Sequence, residues 1–139
     1  MESAEPPREV VVSANHWRAM REHAIAGSPE EACGILAGCS NRCVSVITLN
    51  NALHSATRYA VAPEELFQAF TTLDRNGWEL LAIFHSHPQG EAWPSPTDIA
   101  NAYYPHSAYL ILAPADHDWV CRAFRIQSNE VSEIPLHVT

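Results

Sequence analysis

The chain has 139 residues, of which 47% are hydrophobic and 17% charged, and its acidic excess gives a formal net charge of −8. This composition is typical of a single globular domain, and the acidic charge argues against nucleic acid or an anionic membrane as a partner. No apolar run reaches the roughly 18 residues of a membrane span, and the acidic, Pro-rich start does not resemble a signal peptide. We therefore expect a cytoplasmic protein.

The first half of the chain predicts a strand, a helix, a hairpin and a second helix. Residues 1–7 are expected to form a flexible tail, and residues 8–139 a single domain. "REVVVS" predicts a short strand, and "SANHWRAMREHAIAGS" a helix that Ser13 caps. "ACGILAG" and "CVSVITLNN" predict a hairpin. "APEELFQAFTTLDRNG" predicts a helix that begins near Pro63 and ends at Gly77.

The second half predicts a buried strand, a short helix and three further strands. "WELLAIF" is almost continuously apolar, which is typical of a central strand covered on both faces. A helix is expected from about Pro96. "SAYLILAP", "DWVCRAFRI" and "EVSEIPLHV" each predict one strand, with turns at "ADH" and "QSN". Strands flanked by helices, with hairpins at both ends, predict an α/β fold with a mixed central β-sheet.

The four cysteines are expected to be buried free thiols. A chain of this size can build a core without a disulfide framework. Cys39 and Cys43 have the spacing of half a zinc knuckle, but no second pair at that spacing exists to complete four ligands.

Two histidines follow the predicted central strand in "HSHPQGEAWPSPTD". Side chains alternate faces along a strand, so His85 and His87 point the same way and Ser86 points the other way. Asp98 follows after a segment with a proline and a glycine, which can turn the chain back over the histidines. Two histidines and a carboxylate form a three-ligand set, which for zinc leaves the fourth tetrahedral position to water, as in catalytic sites.

A purely structural interpretation of this segment is also open. Ser95 at an N-cap, Pro96 at the first helical position and Asp98 three residues after the cap form the start of a helix. An aspartate in the first turn can still face a metal, so the two interpretations are compatible. Trp93 is expected either to border a substrate channel or to anchor its own loop by burial.

A hydrolytic metal site also requires a base for its water. Glu30 and Glu31 end a loop directly before the strand that begins near Cys33, so either can lean toward the end of a neighbouring strand. Acidic pairs at the end of a loop are usually solvated surface groups. The residues alone leave open which glutamate acts and whether either does.

The combined pattern resembles the JAMM (MPN+) metalloprotease family. The family's E-x-x-G element matches "EACG", which begins at Glu31, and its H-x-H-P, six residues, S-x-x-D element matches His85 to Asp98. The order of predicted helices and strands follows the family over nearly the whole chain. The resemblance implies the cytidine-deaminase-like MPN fold and one zinc per chain, held by His85, His87 and Asp98. It also implies a water activated by Glu31 and an oxyanion supported by Ser95.

The resemblance further implies a kind of substrate. Little of the chain remains after Asp98 for the extra segments of eukaryotic deubiquitinating members, so the chain is similar to the compact prokaryotic members. These act on ubiquitin-like or sulfur-carrier proteins that end in Gly-Gly, a tail thin enough to pass a narrow channel to the zinc. We expect a zinc-dependent peptidase or isopeptidase that cleaves after this Gly-Gly, as a monomer or a homodimer.

Three alternative functions fit parts of the same pattern. A deubiquitinase-like isopeptidase would share the chemistry but not the carrier, and a non-catalytic MPN interaction module would hold no metal. A RadC-like accessory of DNA metabolism would share the fold. Ser86 stands where those proteins usually have asparagine, and the acidic charge gives no support to DNA binding.

Overall fold

Eight strands form one mixed sheet with helices on both faces, in a computed structural model that describes residues 5–139. The predicted α/β fold with a mixed central sheet is confirmed. In chain order the elements are β1 (Val10–Val12), α1 (Ala14–Gly27), β2 (Cys33–Cys39), β3 (Arg42–Leu49), α2 (Pro63–Asn76), β4 (Glu79–Ser86), α3 (Pro96–Ala100), β5 (Ala108–Ala115), β6 (Asp118–Gln127), β7 (Glu130–Ile134) and β8 (Leu136–Val138).

The strands lie in the order β7-β6-β5-β4-β2-β3-β1-β8. β4 is central, antiparallel to β2 and parallel to β5, and the crossover between β4 and β5 carries α3. Every residue of β4 from Leu81 to Ser86 is buried, as predicted for a strand covered on both faces. The sheet therefore fixes the position of the polar residues His85 and Ser86 at the end of β4.

Alternation along the strands divides the core into two layers. Met20 and Ala24 of α1 pack on one face of the sheet with residues such as Phe84. Ala69 and Leu73 of α2 pack on the other face. That second face includes Ile83, and the period of two along β4 places the next residue but one, His85, on the same side.

Local signals place the helix ends as the sequence predicts. The Ser13 hydroxyl oxygen accepts the His16 N–H at 3.1 Å and caps α1. Pro63 is the first residue of α2, and Gly77 ends it in the left-handed conformation with φ of 66°.

Among residues 5–139, no helix is long and apolar enough to span a membrane.

Gly34, the glycine of the E-x-x-G element, lies where two parts of the sheet approach closely. A Cβ atom there would be 2.4 Å from the Phe84 ring and 2.7 Å from the Ile47 carbonyl oxygen. The oxygen belongs to the paired strand β3 and cannot move aside without breaking the ladder. Only glycine fits this position.

The prediction of one strand over "EVSEIPLHV" is wrong. The segment forms β7 and β8, which lie at opposite edges of the sheet, and Pro135 separates them. Proline has no N–H to continue the ladder with β6, and its carbonyl accepts the Val10 N–H at 3.0 Å instead. β8 then pairs in parallel with β1.

Of the predicted tail, residues 1–4 lie outside the described residues, and Pro6 is buried.

Candidate metal centre

Three side chains converge at the C-terminal end of β4, on the α2 side of the sheet. His85 Nε2, His87 Nε2 and Asp98 Oδ2 lie 3.0 to 3.1 Å from one another. A zinc ion with four ligand atoms at about 2.0–2.1 Å in a tetrahedron keeps those atoms roughly 3.3 Å apart. The triangle is thus close to the spacing of three zinc ligands. Within residues 5–139 it is the one group of three or more His, Cys, Asp or Glu side chains that converges in this way.

The backbone explains why these atoms meet. His85 is buried near the end of β4, and His87 stays tied to the sheet because its N–H donates to the Leu112 carbonyl at 2.8 Å. Asp98 is held by a capping box, in which its N–H donates to Ser95 Oγ at 3.0 Å and its Oδ2 accepts the Ser95 N–H at 2.9 Å. The oxygen that forms the helix cap is therefore also the one that faces the histidines. The helix-cap and metal-ligand interpretations of "SPTD" are thus compatible.

The histidine rings are oriented as metal ligands require. His87 Nδ1 lies 2.7 Å from the Glu91 carbonyl oxygen, which only accepts. Nδ1 therefore carries a proton, and Nε2 is the ring atom that faces the cluster. The His85 ring is stacked on Tyr59 with centroids 4.8 Å apart and planes at 29°. Both rings are thus fixed before any ion binds.

Burial and hydrogen bonding set the charge of the cluster. Burial lowers the pKa of His85 and keeps that ring neutral, the form that coordinates a cation. Burial alone would raise the pKa of Asp98, but the hydrogen bonds with His85 and His87 hold it well below the usual range for a carboxyl. Burial lowers the pKa of His87, but its hydrogen bonds with Asp98 and with the Glu91 carbonyl outweigh burial and raise that pKa. A bound cation would displace the extra proton, and two imidazoles with one carboxylate match the donor set that zinc prefers.

Glu31 lies beside the triangle but is not part of it. Cys33 is opposite His85 in the β2–β4 ladder, and continuing this register puts Glu31 opposite His87. The Glu31 side chain is buried, and in the described part of the chain its Oε1 has no hydrogen-bond partner. Burial raises the pKa of its carboxyl to about 7. Glu30 differs, because it is partly exposed and contacts His54 at 3.1 Å.

Two residues outside the proposed catalytic set hold the Glu31 segment. Ser86, between the two histidines, is buried on the opposite face, where its hydroxyl accepts the Ala32 N–H at 2.8 Å. Asn51, only 7% exposed, donates to the Glu31 carbonyl at 3.1 Å. Asparagine commonly bonds nearby backbone in turns, but that tendency does not indicate a partner twenty residues away.

The Ser95 hydroxyl lies at the edge of the cluster. Its oxygen accepts the Asp98 N–H, and no acceptor for its hydrogen is found among residues 5–139. Ser95 can therefore cap α3 and still donate to a bound group.

A cavity of about 330 Å³ opens next to His85 and Asp98. It lies between α2, α3 and the segment 50–62, and most of the side chains around it are apolar or aromatic. Its walls include Leu49, Tyr59, Val61, Leu66, Phe70 and Tyr104.

Trp93 is not one of the residues that line this cavity. Its ring contacts Phe124 edge to face, with centroids 5.0 Å apart, and the Arg122 guanidinium lies 5.3 Å from the ring centroid. Of the two roles expected from the sequence, these contacts favour an anchor for its own loop, but the residue is 43% exposed and so does not anchor the loop by full burial.

The cysteines take no part in the cluster. All four are free thiols, and Cys33 and Cys43 are buried as expected, whereas Cys39 is exposed. Burial raises the pKa of Cys33 to about 12 and that of Cys43 to about 11, so neither thiol is a reactive nucleophile.

Comparison with known proteins shows relatives along most of the chain. The CysO-cysteine peptidase of Mycobacterium tuberculosis is 34% identical over 132 residues, which cover 93% of this chain and 90% of that protein. A desampylase of Haloferax volcanii is 34% identical over 112 residues, covering 76% and 81%. A probable TtuB-protein conjugate cleaving protease of Thermus thermophilus is 43% identical over 83 residues, covering 59% and 55%.

Solved structures and a family model agree with these relatives. A protein from Desulfitobacterium hafniense superimposes with a TM-score of 0.84 at 32% identity, over 94% of this chain and 92% of that one. A JAB1/MPN domain protein from Archaeoglobus fulgidus shares the fold, with a TM-score of 0.60 at 19% identity, over 94% and 99%. The family model of prokaryotic homologs of the JAB domain matches residues 13–127. The chain therefore belongs to this family, as its resemblance to the JAMM proteins predicts.

Proposed function

We propose that this chain is a zinc-dependent peptidase or isopeptidase that cleaves after the C-terminal Gly-Gly of a ubiquitin-like or sulfur-carrier protein. The observation that carries the proposal is the triangle of His85, His87 and Asp98 beside the separate, buried carboxylate of Glu31. Relatives named as a peptidase, a desampylase and a conjugate-cleaving protease support it, and the chain is a hydrolase of peptide or isopeptide bonds.

The three triangle residues would hold the metal. Zinc bound there supplies a Lewis acid and lowers the pKa of a water toward about 7. The chemistry of the donor set fits this ion, because two imidazole nitrogens and one carboxylate oxygen lie close to the spacing of zinc ligands.

The proton and the developing charge are assigned to other side chains. The Glu31 carboxylate removes the proton of the attacking water and returns it to the leaving amine, which requires a group that is not itself bound to the metal. The Ser95 hydroxyl donates to the carbonyl oxygen as it gains negative charge. Its place at the start of α3 supports this role, since the cap fixes the oxygen that carries the hydrogen.

The names of the relatives and the chemistry of a Gly-Gly end both support this substrate. One relative is named for a cysteine adduct of CysO and another for protein conjugates of TtuB, so the carrier, not the released group, is the common element of these two names. A Gly-Gly end has no side chains to prevent close approach of its carbonyl to the cluster at the end of β4.

Metal content is the first test. Purified protein should contain close to one zinc per chain, and His85→Ala, His87→Ala and Asp98→Ala should each lose most of it. His106→Ala is the matched control, because His106 is exposed and outside the triangle. Full occupancy in all three ligand variants would reject the metal assignment.

Cleavage is the second test. A carrier fusion whose carrier ends in Gly-Gly should be cut after the second glycine, as mass spectrometry of the products shows. The same fusion with Ala-Ala in place of Gly-Gly should be cut poorly. Equal cleavage of both fusions would be consistent with a hydrolase but would reject the requirement for Gly-Gly.

A further inference from the structure

The cavity beside the cluster contacts only part of it. His85 and Asp98 line the cavity, whereas His87, Glu31 and Ser95 do not. Glu31 is the group assigned to protonate the leaving amine, so the leaving group must be on the Glu31 side. The cavity therefore lies on the acyl side of the bond, where the carrier's tail enters.

The cavity is also too large for the glycines themselves. Glycine has no side chain, whereas a cavity of about 330 Å³ has room for a large one. An extended chain advances about 3.3 Å per residue, so the residue before a Gly-Gly pair lies roughly 7 Å from the terminal glycine. With the terminal glycine at the cluster, the side chain of that preceding residue is the first one that can fill the cavity.

The walls of the cavity favour an apolar occupant. Leu66 and Phe70 come from α2, and Phe70 meets Tyr104 edge to face with centroids 6.0 Å apart. Burial of an apolar side chain among such groups is favourable, whereas an unpaired charged one would lose its hydration.

One cationic side chain is part of the lining. Arg58 is exposed and forms no salt bridge within residues 5–139, so its charge is not neutralised by a neighbour. Its backbone is fixed, because its N–H donates to Ser55 Oγ at 3.2 Å and its carbonyl accepts from Asn51 at 3.0 Å. A basic side chain entering the cavity would meet this like charge, while Asp98, the one acidic side chain of the lining, is already engaged by the two histidines of the triangle.

We infer that the cavity is the subsite for the residue that precedes the carrier's Gly-Gly pair, that it selects a large apolar side chain there, and that Arg58 excludes a basic one. This inference rests on the proposed function and narrows its substrates to carriers that end in a large apolar residue followed by Gly-Gly. The variation in released group between relatives named for a cysteine adduct and for protein conjugates agrees with placing selectivity on the carrier side.

The test uses carrier fusions that differ only at the residue before Gly-Gly, with Leu, Phe, Ala or Arg at that position. The zinc-loaded full chain should cleave the Leu and Phe fusions with kcat/KM at least about tenfold above the Ala fusion, the size expected from burying such a side chain. The Arg fusion should be the poorest substrate. Equal kcat/KM for all four would overturn the inference while leaving the proposed function in place.

Two variants test the walls directly. Arg58→Ala should raise kcat/KM for the Arg fusion relative to the Leu fusion several-fold, whereas Arg75→Ala, which changes an exposed arginine outside the cavity, should not alter this ratio. Ala60→Phe adds a ring to the cavity lining and should remove the advantage of Leu and Phe over Ala. Unchanged ratios in Arg58→Ala would remove the charge argument, independently of how well Ala60→Phe folds.

Binding separates this inference from the proposed reaction. Glu31→Gln protein loaded with zinc should bind the four carriers, each ending in X-Gly-Gly, in the same order as the cleavage series. If no fusion is cut but this order holds, the subsite stands and the proposed reaction fails. Equal affinity for all four carriers would overturn the inferred subsite, whatever substrate the enzyme cleaves.

Discussion

Glu31 and the three triangle residues are neighbours with different chemistry. The triangle atoms lie within 3.1 Å of one another and form one candidate site for a cation. Glu31 has a buried carboxyl oxygen without a hydrogen-bond partner in the described structure. Such an oxygen lowers stability, which would be unexpected for a residue that serves only stability. Metal binding and proton transfer should therefore be separable by substitution.

Glu31→Gln should keep zinc and lose catalysis. The amide has nearly the same shape as the carboxyl but cannot take the proton of water, so turnover should fall by about 100-fold or more. Glu30→Gln is the matched control, since its carboxylate contacts only His54 and should change neither zinc content nor turnover. Near-normal activity of Glu31→Gln would reject the assigned base.

Asn51 joins the Glu31 backbone to the segment that carries Tyr59. Its amide nitrogen contacts the carbonyls of Glu31, Ser55 and Arg58, and its oxygen accepts two further N–H groups. One buried side chain thus organises a loop with no regular secondary structure. The loop also holds Tyr59 against His85.

Asn51→Ala should loosen this loop. It leaves buried backbone groups without partners, so the free energy of unfolding should fall by about 1–3 kcal/mol, and amide exchange at Glu31 should accelerate. Asn50→Ala, the adjacent exposed asparagine whose side chain bonds only Glu65, should cost about 0.5 kcal/mol or less. Denaturant unfolding and hydrogen exchange measure the two effects, and equal losses in both variants would contradict a special role for Asn51.

At the scale of elements, local patterns predicted most of the fold. Alternation, caps and glycine stops depend on neighbours in sequence, and for that reason α2 begins at Pro63 and ends at Gly77 as expected. The proposed ligand set came from the motif that runs from His85 to Asp98, in which a strand end and a helix cap are both local features.

The elements that were missed depend on distant partners. Pro135 indicates that a strand stops, but nothing near it indicates that β8 crosses to the far edge of the sheet and pairs with β1. Tyr59 has no local pattern that points to the His85 ring, and Asn51 bonds a carbonyl across the sheet end. Tertiary contacts of this kind leave no periodic signal in the sequence.

The loop between β4 and α3 is a further element with a testable anchor. Trp93 packs on Phe124 and under Arg122, which itself forms two hydrogen bonds with Glu133 at 2.6 and 2.9 Å. The same loop supplies the Glu91 carbonyl that fixes the His87 tautomer. The anchor on β6 and β7 is thus connected to the ligand geometry.

Trp93→Ala should weaken zinc binding, by about tenfold or more if the Glu91 contact behaves as other outer-shell partners of metal ligands do. Trp93→Phe keeps a ring against Phe124 and should retain most of the affinity. Competition with a chelator measures both. A variant that keeps its zinc affinity but shows a raised KM would favour instead the role of bordering a substrate channel.

At the scale of the whole molecule, the ligands join two parts of the fold. His85 and His87 come from the central strand β4, and Asp98 comes from the crossover that leads to β5. An ion bound to all three would link the crossover to the centre of the sheet. Unfolding separates these residues, so the unfolded chain offers no comparable site.

Zinc should therefore stabilise the entire protein and not only its active site. A ligand that binds the folded chain alone adds about 2.7 kcal/mol to the free energy of unfolding when its concentration is 100 times its Kd. Removing the metal with a chelator should lower Tm, and restoring zinc should recover it. His87→Ala should lose the zinc-dependent part of the stability, while His106→Ala should keep it, because its ring lies outside the triangle. A Tm that does not respond to chelator in the intact protein, once metal analysis has shown the zinc to be removed, would mean that the crossover and the sheet hold together without the ion.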